Sequence, residues 1–189
     1  TGTSISRQRE GLEVINSQAK NLTAFLDSYH RLTHLPEPEY KTVSVPALFT
    51  KLERLLQAEP RSERVVYCDG KVDRSTGKEL QVYGDANLLT LALINLIRNA
   101  LQAVEGQEDG IVRVDTCAGA TGHLLITITD NGPGIPPERL SAIFTPFFST
   151  KSGGSGIGLP ISQRIMQLHG GQLSVSSIPN VRTEFRMEF

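Results

Sequence analysis

The chain has no tryptophan, and only two methionines and two cysteines among its 189 residues. So few cysteines exclude a disulfide-built scaffold. Cys68 and Cys117 each fall in a strand-like stretch and read as reduced, buried thiols of a cytosolic compartment. An excess of either charge is also missing: nineteen basic and twenty acidic side chains leave a net charge of -1. Without a basic excess there is no electrostatic footprint for DNA, RNA or a membrane surface. No apolar run approaches the ~18 residues of a membrane span, and no signal peptide opens the chain. The start at Thr1, Gly2 and Thr3, with no Met, is expected of a piece of something longer. What remains is a composition of 39% hydrophobic and 21% charged residues, enough for a real core. The length suits one domain plus an appendage, at ~150 residues per domain.

From about Ile5 to Thr33, apolar residues recur at three- and four-residue steps: Leu12, Ile15, Ala19, Leu22, Phe25, Leu26, Tyr29 and Leu32. That spacing predicts one long helix with an apolar stripe, which needs a second helix to cover it. Leu35-Pro36-Glu37-Pro38 stops it and marks a boundary, giving units 1–38 and 39–189. Beyond it, Tyr40 to Val45 reads as extended, and Pro46 opens a helix to about Ala58. Strands follow at Arg64 to Cys68 and Leu80 to Tyr83. Asp85 caps a helix running to about Val104 and stopped near Gly106. An antiparallel hairpin is expected over Ile111 to Ala118 and His123 to Asp130. Gly and Pro break all periodicity from Asn131 to Ser155. A helix from Gly158 to His169, ended by Gly170 and Gly171, then precedes strands Gln172 to Ser177 and Thr183 to Phe189. The order predicts an α+β fold, a two-layer sandwich of one mixed sheet with helices on one face, preceded by the long helix.

Four motifs stand in fixed order along the second unit. In Asn95-Leu96-Ile97-Arg98-Asn99-Ala100, the two asparagines are one helical turn apart, so their amides share one side of the helix. Neutral amide oxygens suit Mg²⁺, which keeps several waters and bridges substrate phosphates. In isolation such asparagines more often bond neighbouring backbone. Asp130-Asn131-Gly132-Pro133-Gly134 ends a largely buried strand with a carboxylate, an acceptor suited to an exocyclic amine such as adenine N6. The glycines let backbone approach a flat ligand; an ordinary turn is the plain alternative. Phe144-Thr145-Pro146-Phe147-Phe148-Ser149-Thr150-Lys151 gathers three aromatic rings in a glycine-flanked loop, readable as a lid over ligand or as a local hydrophobic plug. Gly154-Ser155-Gly156-Ile157-Gly158-Leu159 opens a helix whose free N–H groups and positive dipole end suit phosphate. It is neither a Walker loop nor a dinucleotide fingerprint, because no Gly-Lys-Ser/Thr follows and no strand leads into it. Lys151 is either a γ-phosphate ligand or a solvated loop lysine.

The ordered set resembles the N, G1, F and G2 boxes of sensor histidine kinases of two-component systems, in the superfamily shared with DNA gyrase and mismatch-repair ATPases. The resemblance runs from about Val43 to Phe189, and Arg98-Asn99-Ala100-Leu101-Gln102-Ala103 is most similar to the nitrogen-regulation class. It implies a Bergerat ATP-binding fold, with 1–38 the second helix of a dimerisation and phosphotransfer hairpin. It also implies that Asn99 coordinates Mg²⁺ with Asn95 assisting, and that Asp130 holds adenine. By the same resemblance Gly132, Gly134, Ile135 and Phe144 shape the base pocket and its cover. Gly154, Ser155, Gly156, Ile157, Gly158 and Leu159 wrap the phosphates, with Lys151 beside them. The implied activity is transfer of the ATP γ-phosphoryl group to a histidine, for relay to a response-regulator receiver domain. The implied assembly is a homodimer through the N-terminal helix, with no nucleic acid or membrane contact by these residues. The implied place is the cytoplasm, as a free protein or as the cytoplasmic part of an inner-membrane sensor.

Hydrolases of the superfamily carry Glu four residues before the metal-binding asparagine, where this chain has Asn95. The family's phosphoacceptor histidine is followed by an acidic residue, whereas His30 precedes Arg31 and His34 precedes Leu35. The acceptor is therefore expected on a helix outside these 189 residues, leaving the chain unable to phosphorylate itself alone. Gln102 stands where relatives often have a basic residue, and Arg98 or Lys151 is its candidate substitute. An ATP-gated clamp or hydrolase and a non-catalytic interaction module are the rival readings, and a serine-directed kinase of similar fold is a third.

Overall fold

A computed structural model describes Asn16, Ala19, Thr23, Leu26, Tyr29, His30 and residues 34–68, 77, 79–118, 124–149 and 155–189. The six isolated positions are helical and exposed, and the Thr23 hydroxyl donates to the Ala19 carbonyl at 2.9 Å. Most of the expected leading helix, with Leu12, Ile15, Leu22, Phe25 and Leu32, lies outside the described residues. So do Lys151, Gly154 and His123.

Local chemistry sets the element ends. Strand β1 (Lys41–Ser44) runs into α1 (Val45–Leu56), where Ser44 accepts from the Ala47 N–H at 3.1 Å and Pro46 sits in the first turn. Val45, Leu48, Phe49, Leu52 and Leu56 form its buried stripe. After β2 (Val65–Tyr67) and β3 (Gln81–Gly84) comes α2 (Ala86–Ala103), whose Asp85 cap accepts from the N–H groups of Asn87 at 2.8 Å and Leu88 at 3.1 Å. Strands β4 (Val112–Ala118) and β5 (Leu124–Asp130) pair antiparallel in the register of the expected hairpin. Two short 3-10 turns, Pro137–Arg139 and Ala142–Phe144, interrupt the irregular stretch. Helix α3 (Gly158–Leu168) and the hairpin of β6 (Gln172–Ile178) and β7 (Arg182–Glu188) complete the chain.

The main sheet has five strands in the order β2-β4-β5-β7-β6, with β2 parallel to β4 and the other pairs antiparallel. The α+β expectation of a mixed sheet under helices therefore holds, with one addition: β1 and β3 form a separate two-stranded ribbon. Alternation puts one sheet face inside. Val112, Val114, Ile126, Ile128, Phe185 and Met187 are buried, while Arg113, Arg182 and Arg186 point the other way. Against that face lies α2, with Leu89, Leu93, Leu96 and Ile97 fully buried, each worth about 1.5–3 kcal/mol of transfer free energy.

A polar knot fastens the start of the described chain to this sandwich. The Asp85 carboxylate also accepts from the Glu39 N–H at 2.8 Å, and the Asp85 N–H donates to His169 Nε2 at 2.9 Å. Since Nε2 accepts, Nδ1 carries the proton and donates to the Ile165 carbonyl at 2.7 Å. Tyr40 donates its hydroxyl to the Leu168 carbonyl at 2.5 Å and stacks on Tyr83. Burial alone would raise the Asp85 carboxyl. The N–H groups of Glu39, Leu88 and Asn87 outweigh it and hold the carboxyl below its ordinary range.

A lowered folded-state pKa contributes stability that is present above the unfolded value of about 3.9 and lost as pH falls through the folded one. Asp85→Ala is therefore expected to lower unfolding free energy by about 1–2 kcal/mol at neutral pH. In denaturant titrations the gap from wild type should narrow as pH falls below the unfolded carboxylate value; a gap of equal size at neutral and acid pH would mean the carboxylate charge is not what holds the knot.

Candidate functional site

A cavity of about 500 Å³ opens between α2, the loop after β5, the start of α3 and the floor provided by β7. One helix supplies a whole wall. Asn95, Arg98, Asn99, Gln102 and Ala103 recur at helical spacing and all face the cavity, while Leu96, Ile97 and Ala100 on the adjoining stripe are buried against the core. From Asn95 to Ala103 the wall is eight residues, about 12 Å at 1.5 Å per residue, a span suited to an elongated ligand.

At the Ala103 end lies Asp130, 2% exposed, on the last position of β5. Its Oδ1 accepts from the Gly132 N–H at 2.9 Å, which fixes the carboxylate in place. The turn beyond is stitched on both sides. Asn131 accepts from the Ile111 N–H at 2.7 Å and donates to the Asp109 carbonyl at 2.9 Å. The Ile135 N–H donates to Ser177 Oγ at 2.8 Å, and the Asn180 N–H donates to the Pro133 carbonyl at 2.7 Å. At Gly134, φ is +72°, and a Cβ there would stand 2.7 Å from the Ile178 carbonyl oxygen and 2.9 Å from Pro179 Cα. Only glycine fits so close to the β6–β7 hairpin.

At the other end, Asn95 donates its Nδ2 amide to the Gly158 carbonyl at 3.4 Å, which leaves the Asn95 Oδ1 lone pairs available to the cavity. Ser162 bonds the same carbonyl at 3.0 Å and the Ala92 carbonyl at 3.4 Å, locking α3 to α2. Among the described residues no side chain caps the start of α3, so the first N–H groups of the helix, Pro160 having none, face the cavity end without a described cap. Over this end crosses the aromatic segment. The Phe147 N–H donates to the Gly156 carbonyl at 3.0 Å, and a Cβ on Gly156 would stand 2.6 Å from the Phe147 carbonyl carbon. Both residues take positive φ, +66° each.

Of the sequence candidates, Asn95, Asn99, Asp130, Gly134, Ile135, Ser155, Gly156, Gly158 and Leu159 line this one cavity. Phe144 and Ile157 pack with the core instead, and Gly132 touches the site through its bond to Asp130. Lys151 and Gly154 lie outside the described residues. Missed by sequence reasoning were Ile143, Arg139, Thr183 and Phe185 as lining residues. Alternation along β7 turns Thr183 and Phe185 inward, and that signal is readable in the sequence. Thr183, 3% exposed, meets Ser177 Oγ at 3.2 Å, so one hydroxyl pair links the cavity floor to the Ile135 turn.

A buried acceptor-only carboxylate, two helix-borne amides and an uncapped helix start converging on one cavity define a nucleotide-binding site of ATPase type. Residues 84–189 match the family described as histidine kinase-, DNA gyrase B-, and HSP90-like ATPase. The chain belongs to that family of ATP-binding domains, within its sensor histidine kinase branch. It is 32% identical over 168 residues to the sensor histidine kinase ZraS of Salmonella typhimurium, covering 88% of this chain and 34% of ZraS. It is 34% identical over 184 residues to the sensory histidine kinase/phosphatase NtrB of Vibrio alginolyticus, covering 92% of this chain and 50% of NtrB. The chain thus spans about a third to a half of the length of these relatives. Among solved structures, the catalytic domain of histidine kinase ThkA superposes with a TM-score of 0.66 at 28% identity, covering 80% of this chain and 95% of that one. ThkA in complex with response regulator protein TrrA shares the fold, with a TM-score of 0.70 at 23% identity over 93% of this chain and 49% of that one.

Gly134→Ala is expected to destabilise the protein by about 1–3 kcal/mol, because it combines a left-handed backbone with a clash against β6–β7 backbone. Equilibrium unfolding tests this; an unchanged midpoint would show that the turn moves freely away from the hairpin.

Proposed function

We propose that this chain holds ATP between α2 and the Phe147–Gly156 crossing and delivers its γ-phosphoryl group to a histidine on a dimerisation helix. The observation that carries the reading is the shared cavity of Asn95, Asn99 and Asp130, with base-type and phosphate-type chemistry at opposite ends of one helix. Asp130 accepts from the adenine N6 amine, and Gly134 and Ile135 shape the base pocket. Ser155, Gly156, Gly158 and Leu159, with Gly154 and Lys151 beside them, face the phosphates.

Among the described residues no cluster of three or more His, Cys, Asp or Glu could hold a metal ion on its own. The Asn99 and Asn95 amide oxygens instead fit Mg²⁺, a cation that keeps waters and shares substrate phosphates as ligands. Bound there, Mg²⁺ would supply charge neutralisation between the phosphates. The chain's own residues bind the base, align the triphosphate and keep water from the γ-phosphorus. In the transfer, the acceptor nitrogen forms the new N–P bond as the bond from the γ-phosphorus to the β–γ bridging oxygen breaks, and ADP departs. Catalysis here is positioning together with electrostatic stabilisation. An amide at Asn95 cannot take a proton from water, which favours a protein acceptor over hydrolysis.

The leading helix supports a homodimer: Leu26 and Tyr29, three residues apart and so on one face, are 56% and 52% exposed. None of His30, His34, His123 or His169 is followed by an acidic residue, so the acceptor belongs to another segment. A response-regulator receiver domain is the partner that would take the phosphoryl group onward. No helix among the described residues is long and apolar enough to cross a membrane. Use of ATP assigns the reaction to the cytoplasm, whether the parent is free or an inner-membrane sensor.

Asn99→Ala is expected to leave the fold intact and to abolish Mg²⁺-dependent nucleotide binding and transfer to an added acceptor helix. Retained transfer by the folded variant would sink the kinase reading. Steady phosphate release from ATP without any acceptor would favour the clamp or hydrolase instead. Asp130→Asn keeps the side-chain shape but replaces an acceptor oxygen with a donor. ATP affinity should fall about ten-fold or more, since a charge-assisted hydrogen bond is worth about 1.5–3 kcal/mol. Calorimetry showing wild-type affinity would remove Asp130 from the adenine site.

A further inference from the structure

The cavity wall carries a cation that is already engaged. Arg98 lines the cavity, but its guanidinium is turned to Glu59: Nε donates to Glu59 Oε1 at 3.0 Å and Nη2 donates to the same oxygen. Glu59 sits just past α1, thirty-nine residues earlier. We infer that Arg98 is a triphosphate-binding residue and that Glu59 is its resting counter-ion, which ATP must displace. This inference rests on the nucleotide reading above and names a further residue of the same site.

Three observations carry it. The first is position. Arg98 lines the cavity between Asn99 and Asn95, less than one turn beyond the Asn95 amide that bonds the first residue of α3. The second is charge. An ATP triphosphate brings about four negative charges, and Mg²⁺ cancels two of them. Among the described lining residues only Arg98 and Arg139 are cationic. Gln102, one turn beyond Arg98, is neutral. A planar guanidinium can grip phosphate through two parallel N–H donors.

The third is mobility of the right partner. Glu59 is anchored through its backbone, its N–H donating to the Leu56 carbonyl at 2.8 Å and its carbonyl accepting from the Ser62 N–H at 3.2 Å. Its side chain is 25% exposed, against 52% for Arg98. Glu59 therefore stays and Arg98 swings. An ion pair this open to water is weak and screened, so a triphosphate can break it. The pair would favour ATP over nucleosides, because only a ligand with phosphates offers the guanidinium a better partner.

The test is a double-mutant cycle on the folded chain with two ligands. One is a non-hydrolysable ATP analogue with Mg²⁺, followed by calorimetry; the other is adenosine, followed by NMR shift titration. Arg98→Gln should weaken the analogue by about ten-fold and leave adenosine unchanged. Glu59→Gln should tighten the analogue by about two- to five-fold, again without moving adenosine. In the Arg98→Gln background, Glu59→Gln should give no gain. The inference is overturned if Arg98→Gln binds the analogue like wild type, or loses adenosine to the same degree. It is overturned equally if Glu59→Gln tightens the analogue as much without Arg98 as with it, which would be a general charge effect. Adenosine binding in all four proteins keeps the nucleotide reading even if this inference fails. Its absence from wild type, together with no analogue binding, would remove both.

Discussion

The site depends on how α2 is rotated about its own axis. A turn of one residue would carry Asn95 and Asn99 into the core and push Leu96 or Ile97 toward the cavity. Four constraints prevent it. Apolar residues along the helix are buried against the sheet and the neighbouring helices. Asp85 clamps the first turn through two backbone N–H groups. Ser162 and Asn95 tie its middle to the first residue of α3. At the far end, Arg64 Nη1 donates at 3.0 Å to the Val104 carbonyl, which also accepts from the Gln107 N–H at 3.3 Å, so the helix terminus is tied from two sides. The amides face the cavity because every other rotation buries polar groups without partners.

Fixing α2 also fixes the relation between the two ends of the site. Asp130 is held at one end by β5 and Gly132, and Gly158 is held at the other by Asn95 and Ser162. The distance between Asp130 and the start of α3 is therefore set by one helix. The crossing of Phe147 over Gly156 is held by one hydrogen bond, from the Phe147 N–H to the Gly156 carbonyl at 3.0 Å. Two adjacent segments both adopt left-handed backbone there, and Phe147 is 39% exposed despite its ring. On the proposed reading, a strained and exposed Phe147 suits a cover that repacks when ligand arrives.

Local chemistry made much of this readable in advance. Asp85 and Pro46 mark helix starts because their effects act within the first turn, and the β4–β5 alternation identifies a hairpin because the two strands are neighbours in sequence. Partner choice over longer range was not readable. That β1 pairs with β3 and not with the main sheet depends on residues some forty positions apart. The same limit hid the Arg98 contact with Glu59 and the anchoring of His169 on Asp85. In the aromatic loop, composition showed three rings but not which would face inward. The turn Ala142–Phe144 puts Ile143 at the boundary of core and cavity and packs the partly buried Phe144 against the core.

The identity of residue 95 bears on what such a site does with ATP once it is held. A carboxylate there could accept a proton from water and drive hydrolysis. An amide offers only a neutral oxygen, and here its nitrogen is already committed to the Gly158 carbonyl. The same side chain thus does two jobs that a glutamate could not combine: it braces the start of α3 as a donor and presents an acceptor oxygen to the cavity. A glutamate would set a negative charge against the Gly158 carbonyl and loosen the junction that positions the start of α3. On the proposed reading, sparing ATP from water and holding the loop in place are consequences of a single amide.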